Sequence, residues 1–289
     1  MITRKLTGAP PVPAFPRGAT DTQMHLYLPG FPALPGGPGL PEDPLPDAGA
    51  YAQVMHWLGL DRVIVTQGNA HQHDNTNLLA SLEALGDCAW GVAVVTKDTT
   101  KAQLAALADR RIVGARIMDL PGGAVDLTQL EVVDAIAHDM GWMIAVQFDG
   151  SHILDHLPRL QWLRSRWVFD HHGKFFGGVA ADGPETDAVL RLIDRGNCWF
   201  KFAGAYESSA QPWPYADVAG PSRRIAAHAP DRIVWGTNWP HNGARTTADY
   251  PDDAALAALS LGWLPEGTRE AVLVRNPVDL YRLPPLPSV

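Results

Sequence analysis

Cysteine is scarce in this 289-residue chain: Cys88 and Cys198 stand alone and far apart, which excludes a disulfide framework or a cysteine-rich zinc site. Excess positive charge is also missing. Lys and Arg total 23 against 31 Asp and Glu, a formal net charge of -8, so neither nucleic acid nor an anionic membrane surface is expected as a partner. No apolar stretch approaches the length of a membrane span. The opening Met1-Ile-Thr-Arg-Lys-Leu-Thr-Gly-Ala-Pro10 leads into prolines rather than an apolar run, so no signal peptide is expected and the cytoplasm is the default location. Linker-like stretches, internal repeats and charged low-complexity tracts are lacking too, which argues against two domains. What remains, 46% hydrophobic and 19% charged residues, is the composition of an ordinary globular protein with chain enough for a sizeable core. An anionic ligand would have to meet a local cationic pocket inside this acidic molecule.

Eight short β-rich runs recur: Ala19–His25, Arg62–Thr66, Trp90–Thr96, Ile112–Met118, Trp142–Phe148, Trp167–His171, Cys198–Ala203 and Arg232–Thr237. Several, such as Val63-Ile-Val65 and Val92-Ala-Val-Val95, are near-continuously apolar, as parallel strands covered on both faces are. End signals mark helices between them. Asp47 is placed to cap Tyr51–Leu58, which stops at Gly59; Asn75 precedes Leu78–Leu85, closed by Gly86. Asp126 opens a segment through Val133 and Ile136 to Gly141, and Pro184 sits at a first helical position, with Gly196 after Leu190–Arg195. Strands alternating with helices, over a length near the ~250 residues usual for the architecture, predict an α/β fold: a single (β/α)8 TIM barrel spanning residues 1–289. Residues Pro29 to Pro46, with seven prolines and four glycines, break the rhythm. This loop follows the first strand, which puts it on the active-site face as a passive surface loop or as a semi-rigid wall or lid.

The strand endings carry the chemistry. Arg232-Ile-Val-Trp-Gly-Thr-Asn-Trp-Pro-His241 opens as a buried strand and places Asn238 and His241 at its C-terminal mouth. In Asp21-Thr-Gln-Met-His25, alternation puts Gln23 and His25 on one face. Phe169-Asp-His-His-Gly-Lys174 contributes His171 and Lys174, Gly114-Ala-Arg-Ile-Met118 contributes Arg116, and Trp199-Phe-Lys-Phe-Ala-Gly-Ala-Tyr206 contributes Lys201 and Tyr206. Gln147 ends the fifth run.

Together with Gln67-Gly-Asn-Ala-His71 and Met118-Asp-Leu-Pro-Gly-Gly123, these endings resemble the amidohydrolase superfamily, in its branch of small metal-independent lactonases similar to 2-pyrone-4,6-dicarboxylate hydrolases. The likeness spans nearly the whole chain, with two departures. The family's Gly-Thr-Asp-Trp-Pro-His has Asn238 for its Asp, and its Asp-x-His-x-His has Gln23 for the first metal-binding His. The metal positions would then be Gln23, His25 and Asn238, two of them poor ligands, so the resemblance implies a site with no metal and no cofactor. The other tempting pair, His71-Gln-His73, reads as a loop pair rather than a metal site.

The resemblance further implies interconversion of the 1,5- and 1,4-lactones of D-galactaric acid, a small-molecule sugar dicarboxylate lactone. The C4 hydroxyl attacks the C1 acyl carbon, an oxyanion forms and the C5 oxygen leaves. That requires a carboxylate clamp, an oxyanion donor and proton transfer between two hydroxyls. Arg116 and Lys174 are the clamp candidates, although an ion pair would also account for either. Lys201 either reaches inward or neutralises Asp170 or Asp149. Asn238 is a donor and orienter rather than a base, or a satisfied buried amide. His171 and His25 are read as groups titrating in the useful range that shuttle a proton, with structural roles as the alternative. Gln147 and Tyr206 are candidate substrate contacts that packing at a strand end explains equally well. His241 shuttles a proton in the same way or binds substrate, Gln23 is a candidate contact or part of a filled barrel layer, and Trp239 is an apolar wall or, as is common beside Pro, packing. Protein carboxylates look scarce at these endings, which throws part of the proton work onto the substrate's own carboxylate. Two other readings stay open: a lactone hydrolase of the same branch, and a non-catalytic sugar-acid binder.

Overall fold

Eight strands with nearly every residue buried run parallel in chain order: β1 Thr20–Met24, β2 Arg62–Thr66, β3 Ala89–Ala93, β4 Ile112–Asp119, β5 Met143–Phe148, β6 Arg166–Phe169, β7 Cys198–Phe202 and β8 Ile233–Trp235. The computed structural model describes residues 2–285, and each strand in it pairs with its neighbours in sequence. Between and beyond the strands lie α1 Ala48–Leu58, α2 Thr76–Leu85, α3 Lys101–Ala108, α4 Leu130–Met140, α5 Ile153–Leu160, α6 Pro184–Asp194, the single turn α7 Ala205–Ser208, α8 Ala216–His228, α9 Asp253–Leu261 and α10 Asn276–Tyr281. This is the (β/α)8 barrel expected from the alternation, and among the described residues no helix is long and apolar enough to cross a membrane.

Local chemistry sets the ends. Asp47 accepts from Ala50 N at 2.9 Å and starts α1, and Gly59 and Gly141 end α1 and α4 with φ of 76° and 70°, open to glycine at no steric cost. Pro184 opens α6 where its missing N–H costs nothing. Asn75 does something else than cap α2. Its Oδ1 and Nδ2 bond the N and O of Val94, each at 2.9 Å, replacing ladder partners and stopping the third strand at Ala93 instead of Thr96. Helix α3, absent from the sequence reading, owes its start to a capping box between Thr100 and Gln103.

The barrel is weakest at its seam. β8 is three residues long, and the ladder between the last and first strands reduces to the isolated bridge Met24–Trp239. Two hydrogen bonds extend it, Asn238 N to Gln23 O at 2.8 Å and His25 N to Trp239 O at 2.9 Å. The rest is done by Asp21, fully buried on β1. Its carboxylate accepts from Gln23 N (2.9 Å), Tyr51 OH (2.7 Å), Thr237 N (3.0 Å) and Thr237 Oγ1 (2.6 Å), tying β1, α1 and the end of β8 together. Gly236 permits the close approach, since a Cβ there would lie 2.6 Å from Gln23 N. Replacing Asp21 by Ala leaves several buried donors unmet and is predicted to cost roughly 3–5 kcal/mol. Amide exchange should accelerate first in the β8 segment; a melt within a degree or two of wild type would refute the seam's importance.

Candidate active site

The strand ends surround a cavity of about 290 Å³. His25, Arg116, Gln147, His171, Lys174 and Asn238 line it, as does Glu207, which the sequence reading did not single out. Backbone strain collects here. Among the described residues, His171, Lys174, Asn238 and His241 hold positive φ of 49°, 47°, 64° and 57°, conformations that cost a non-glycine side chain energy and persist where function fixes them.

Arg116 is buried, and its guanidinium donates to Gln67 O (2.7 Å), Asn69 Oδ1 (3.0 Å) and Gln147 Oε1 (3.1 Å). Among the described residues no carboxylate pairs with it, and its Nε lacks a partner. Lys174 differs: its ammonium lies 2.6 Å from Glu207 Oε2, so it is half of an ion pair, not a second free clamp. Glu207 sits on α7, keeps 26% of its side-chain surface exposed in the cavity, and also accepts from Asn238 Nδ2 at 2.9 Å. Burial works against its charge, but Lys174 and Asn238 outweigh that and hold its pKa below the ordinary glutamate range. The site is therefore not short of protein carboxylates. Gly204 makes the arrangement possible. At φ +58° it turns the chain from β7 into α7, and a Cβ there would sit 2.7 Å from Asn238 Nδ2.

His25 has its protons fixed by its neighbours. Nδ1 lies 2.8 Å from Thr66 O, which only accepts, so Nδ1 carries hydrogen and Nε2 is bare in the neutral ring. Burial and then the charge of Arg116 push its pKa down to about 4. His171, 3.9 Å from Glu207 through an unpartnered Nδ1, is driven far down by burial and by Lys174, Lys201 and Arg116. Both are neutral imidazoles near neutrality, where the sequence reading had them titrating. The cause is burial among cations.

Several expected contacts lie behind the cavity wall. Gln23 is beneath the floor, accepting from Lys201 Nζ at 2.9 Å, and Lys201 pairs with Asp170 at 2.6 Å while Asp149 caps Ser151 N elsewhere. Tyr206 and His241 stand behind Asn238, bonded to one another at 2.8 Å. Trp239 is fully buried against Tyr51, a packing residue rather than a wall. His71 donates to Pro32 O at 3.1 Å, and Leu34 N to Ala70 O at 2.7 Å; together they stitch the Pro29–Pro46 loop to the β2 end so that Pro38 closes one side of the cavity. His71 thus serves the loop, and His73 is exposed.

The sequence profile of the amidohydrolase family matches residues 20–283. The chain belongs to the amidohydrolase family. Among curated amidohydrolase relatives it is 64% identical to a D-galactarolactone isomerase of Agrobacterium fabrum, over 99% of this chain and 98% of that one. It is 28% identical to a 4-sulfomuconolactone hydrolase of Hydrogenophaga intermedia, over 92% and 89% of the two chains. A solved apo structure from Agrobacterium tumefaciens, 64% identical, superposes with a TM-score of 0.97 over 98% of this chain and 100% of that one. A probable 2-pyrone-4,6-dicarboxylic acid hydrolase from Acinetobacter baumannii shares the fold at TM-score 0.73 and 19% identity, over 92% of this chain and 100% of that one.

A divalent cation does not fit the positions that the resemblance suggests. The Lys201 ammonium already sits on Gln23 Oε1, and Asn238 turns its Nδ2 face to Tyr206 and Glu207. Among the described residues, no three His, Cys, Asp or Glu side chains gather into a metal-binding group. Purified protein is predicted to hold no stoichiometric zinc or manganese and to keep its activity in chelator. About one metal per chain by elemental analysis, with activity lost on chelation, would contradict this.

The buried imidazoles also set an acid limit. From the ordinary 6.5 down to about 4 for His25, and to about 3 for His172, the unfolded chain takes up protons that the folded one refuses, so stability falls with pH. Asp21 opposes this, because burial raises its pKa from 3.8 to about 6 and the folded state binds that proton first. Three imidazoles, His171 included, outweigh one carboxyl. Denaturant unfolding should show lower stability at pH 5 than at pH 7, and His25→Asn, which keeps a donor for Thr66 O but cannot titrate, should shrink the difference. Equal stability at both pH values would refute the assignment of neutral rings.

Proposed function

We propose that the protein is a metal-independent isomerase that converts D-galactaro-1,5-lactone to D-galactaro-1,4-lactone by intramolecular acyl transfer. The observation that carries the reading is Arg116: a buried guanidinium, facing a small cavity, with no salt-bridge partner among the described residues. A lactone acid brings a carboxylate with it and sets it against the charge of Arg116. Gln147 and Asn238 flank the sugar hydroxyls, and the neutral rings of His25 and His171 contact the lactone without adding charge. Holding the C4 hydroxyl against the C1 carbonyl supplies the nucleophile from within the substrate, so no water need be activated. The likeness to the Agrobacterium isomerase supports this reading over hydrolysis. Hydrolysis is the second reading, favoured by the activity for which the 28% identical relatives are named.

The two part on the product. Fresh D-galactaro-1,5-lactone, followed by NMR at neutral pH, is expected to give 1,4-lactone; open dicarboxylic acid as the main product would overturn the proposal. Arg116→Ala should weaken use of the lactone acid by on the order of tenfold to a hundredfold, the worth of a buried charge-assisted bond, and leave a neutral sugar lactone almost unaffected. Equal losses for both would make Arg116 a structural residue.

A further inference from the structure

Asn238 stands at the end of a run of buried hydrogen bonds. His241 Nε2 lies 3.1 Å from Asp253 Oδ1 and Nδ1 lies 2.8 Å from Tyr206 OH. The buried carboxylate accepts, so Nε2 carries hydrogen, and the tyrosine hydroxyl lies against Nδ1. The same hydroxyl oxygen accepts from Asn238 Nδ2, 2.9 Å away. The second hydrogen of the same amide goes to Glu207 Oε1 at 2.9 Å, while Lys174 Nζ holds Oε2 at 2.6 Å. Both amide hydrogens are committed before any substrate arrives. Asn238 in this state cannot be the oxyanion donor that its position suggested. It is the last link of a chain, Asp253–His241–Tyr206–Asn238, that ends on a carboxylate facing the cavity.

We propose that Glu207 is the catalytic base and acid of the ring exchange, and that Tyr206, His241 and Asp253 are positioning residues that aim it through Asn238. The inference rests on the isomerase reading. A Glu207 oxygen takes the proton of the C4 hydroxyl as O4 forms its bond to C1, and the carbonyl π pair moves onto the oxyanion. When the oxyanion collapses, the C1–O5 bond breaks and Glu207 returns the same proton to O5. No proton, electron or water is gained or lost. One carboxyl group serves both steps because O4 and O5 sit on adjacent carbons. Lys174, beside Glu207 and lining the same cavity, offers a cation to the developing negative charge.

The assay is conversion of D-galactaro-1,5-lactone, with product identity followed by NMR. Glu207→Gln keeps size and hydrogen bonding but cannot accept the proton, so kcat should fall by about a hundredfold or more with KM little changed. Glu207→Ala should regain rate with added formate, a small carboxylate that enters the vacated space, and Glu207→Gln should not. Tyr206→Phe and His241→Ala should each lower kcat by about tenfold, the worth of one hydrogen bond, and the double variant should be no slower than the slower single one. His241→Asn, which keeps an acceptor at the Nδ1 position, should recover most of the loss. Near-wild-type kcat in Glu207→Gln, or no formate rescue, overturns the role of Glu207. Additive losses, or an unrescued His241→Asn, overturn the chain. Open acid as the wild-type product would instead defeat the isomerase reading, a different result from any change in these ratios.

Discussion

Everything at the mouth of this barrel depends on how its last strand meets its first. Seven strand pairs share ordinary parallel ladders, but the eighth junction has one backbone bridge and the carboxylate of Asp21. That carboxylate holds Thr237 by backbone and side chain, and Thr237 is the residue before Asn238. On the other strand it holds Gln23 N, two residues before His25. One buried acid therefore sets the separation between the two sides of the cavity. A carboxylate suits the task because it accepts several bonds at once and donates none.

Above the seam, charge is arranged in layers. The lower layer pairs Lys201 with Asp170 in full burial, and the upper one pairs Lys174 with Glu207 at the cavity surface. Arg116 has no salt-bridge partner among the described residues, so the cavity carries cationic character within a molecule of net charge -8. Burial, and after it the same cations, lowers the pKa of both His25 and His171. An anionic ligand would complete the balance, and with water displaced its interaction with Arg116 strengthens.

Much of the fold was legible in the residues. Apolar runs gave all eight strands, and Asp47, Gly59, Gly141 and Pro184 behaved as their chemistry requires. The misses have physical causes. Asn75 looked like a cap because its competing use, clipping Val94, depends on a residue 19 positions away. Helix α8 was unread because Gly220 and Pro221 interrupt it, although tertiary packing keeps it intact. At the site, alternation along the first strand exposed His25, and the family resemblance of the strand endings exposed Arg116 and His171. Glu207 escaped because it lies one step past Tyr206, on a single helical turn that strand periodicity does not reach; a carboxylate beside a strand-ending tyrosine was the available signal. The polarity of Asn238 was beyond reach, since it follows from bonds spanning 32, 35 and 12 residues of sequence.

The proline-rich loop has a consequence for how the cavity fills. Seven prolines fix much of its backbone beforehand, and His71 and Ala70 fasten its middle to the β2 end. A wall of this kind has little freedom left to lose when a ligand arrives. Capture of a small rigid ring then carries little of the entropic toll that a folding lid exacts, and the encounter is governed by the aperture and by the pull of Arg116. Selectivity in such a site comes from a shape fixed ahead of binding, so a bulkier ring is refused at the entrance instead of being accommodated.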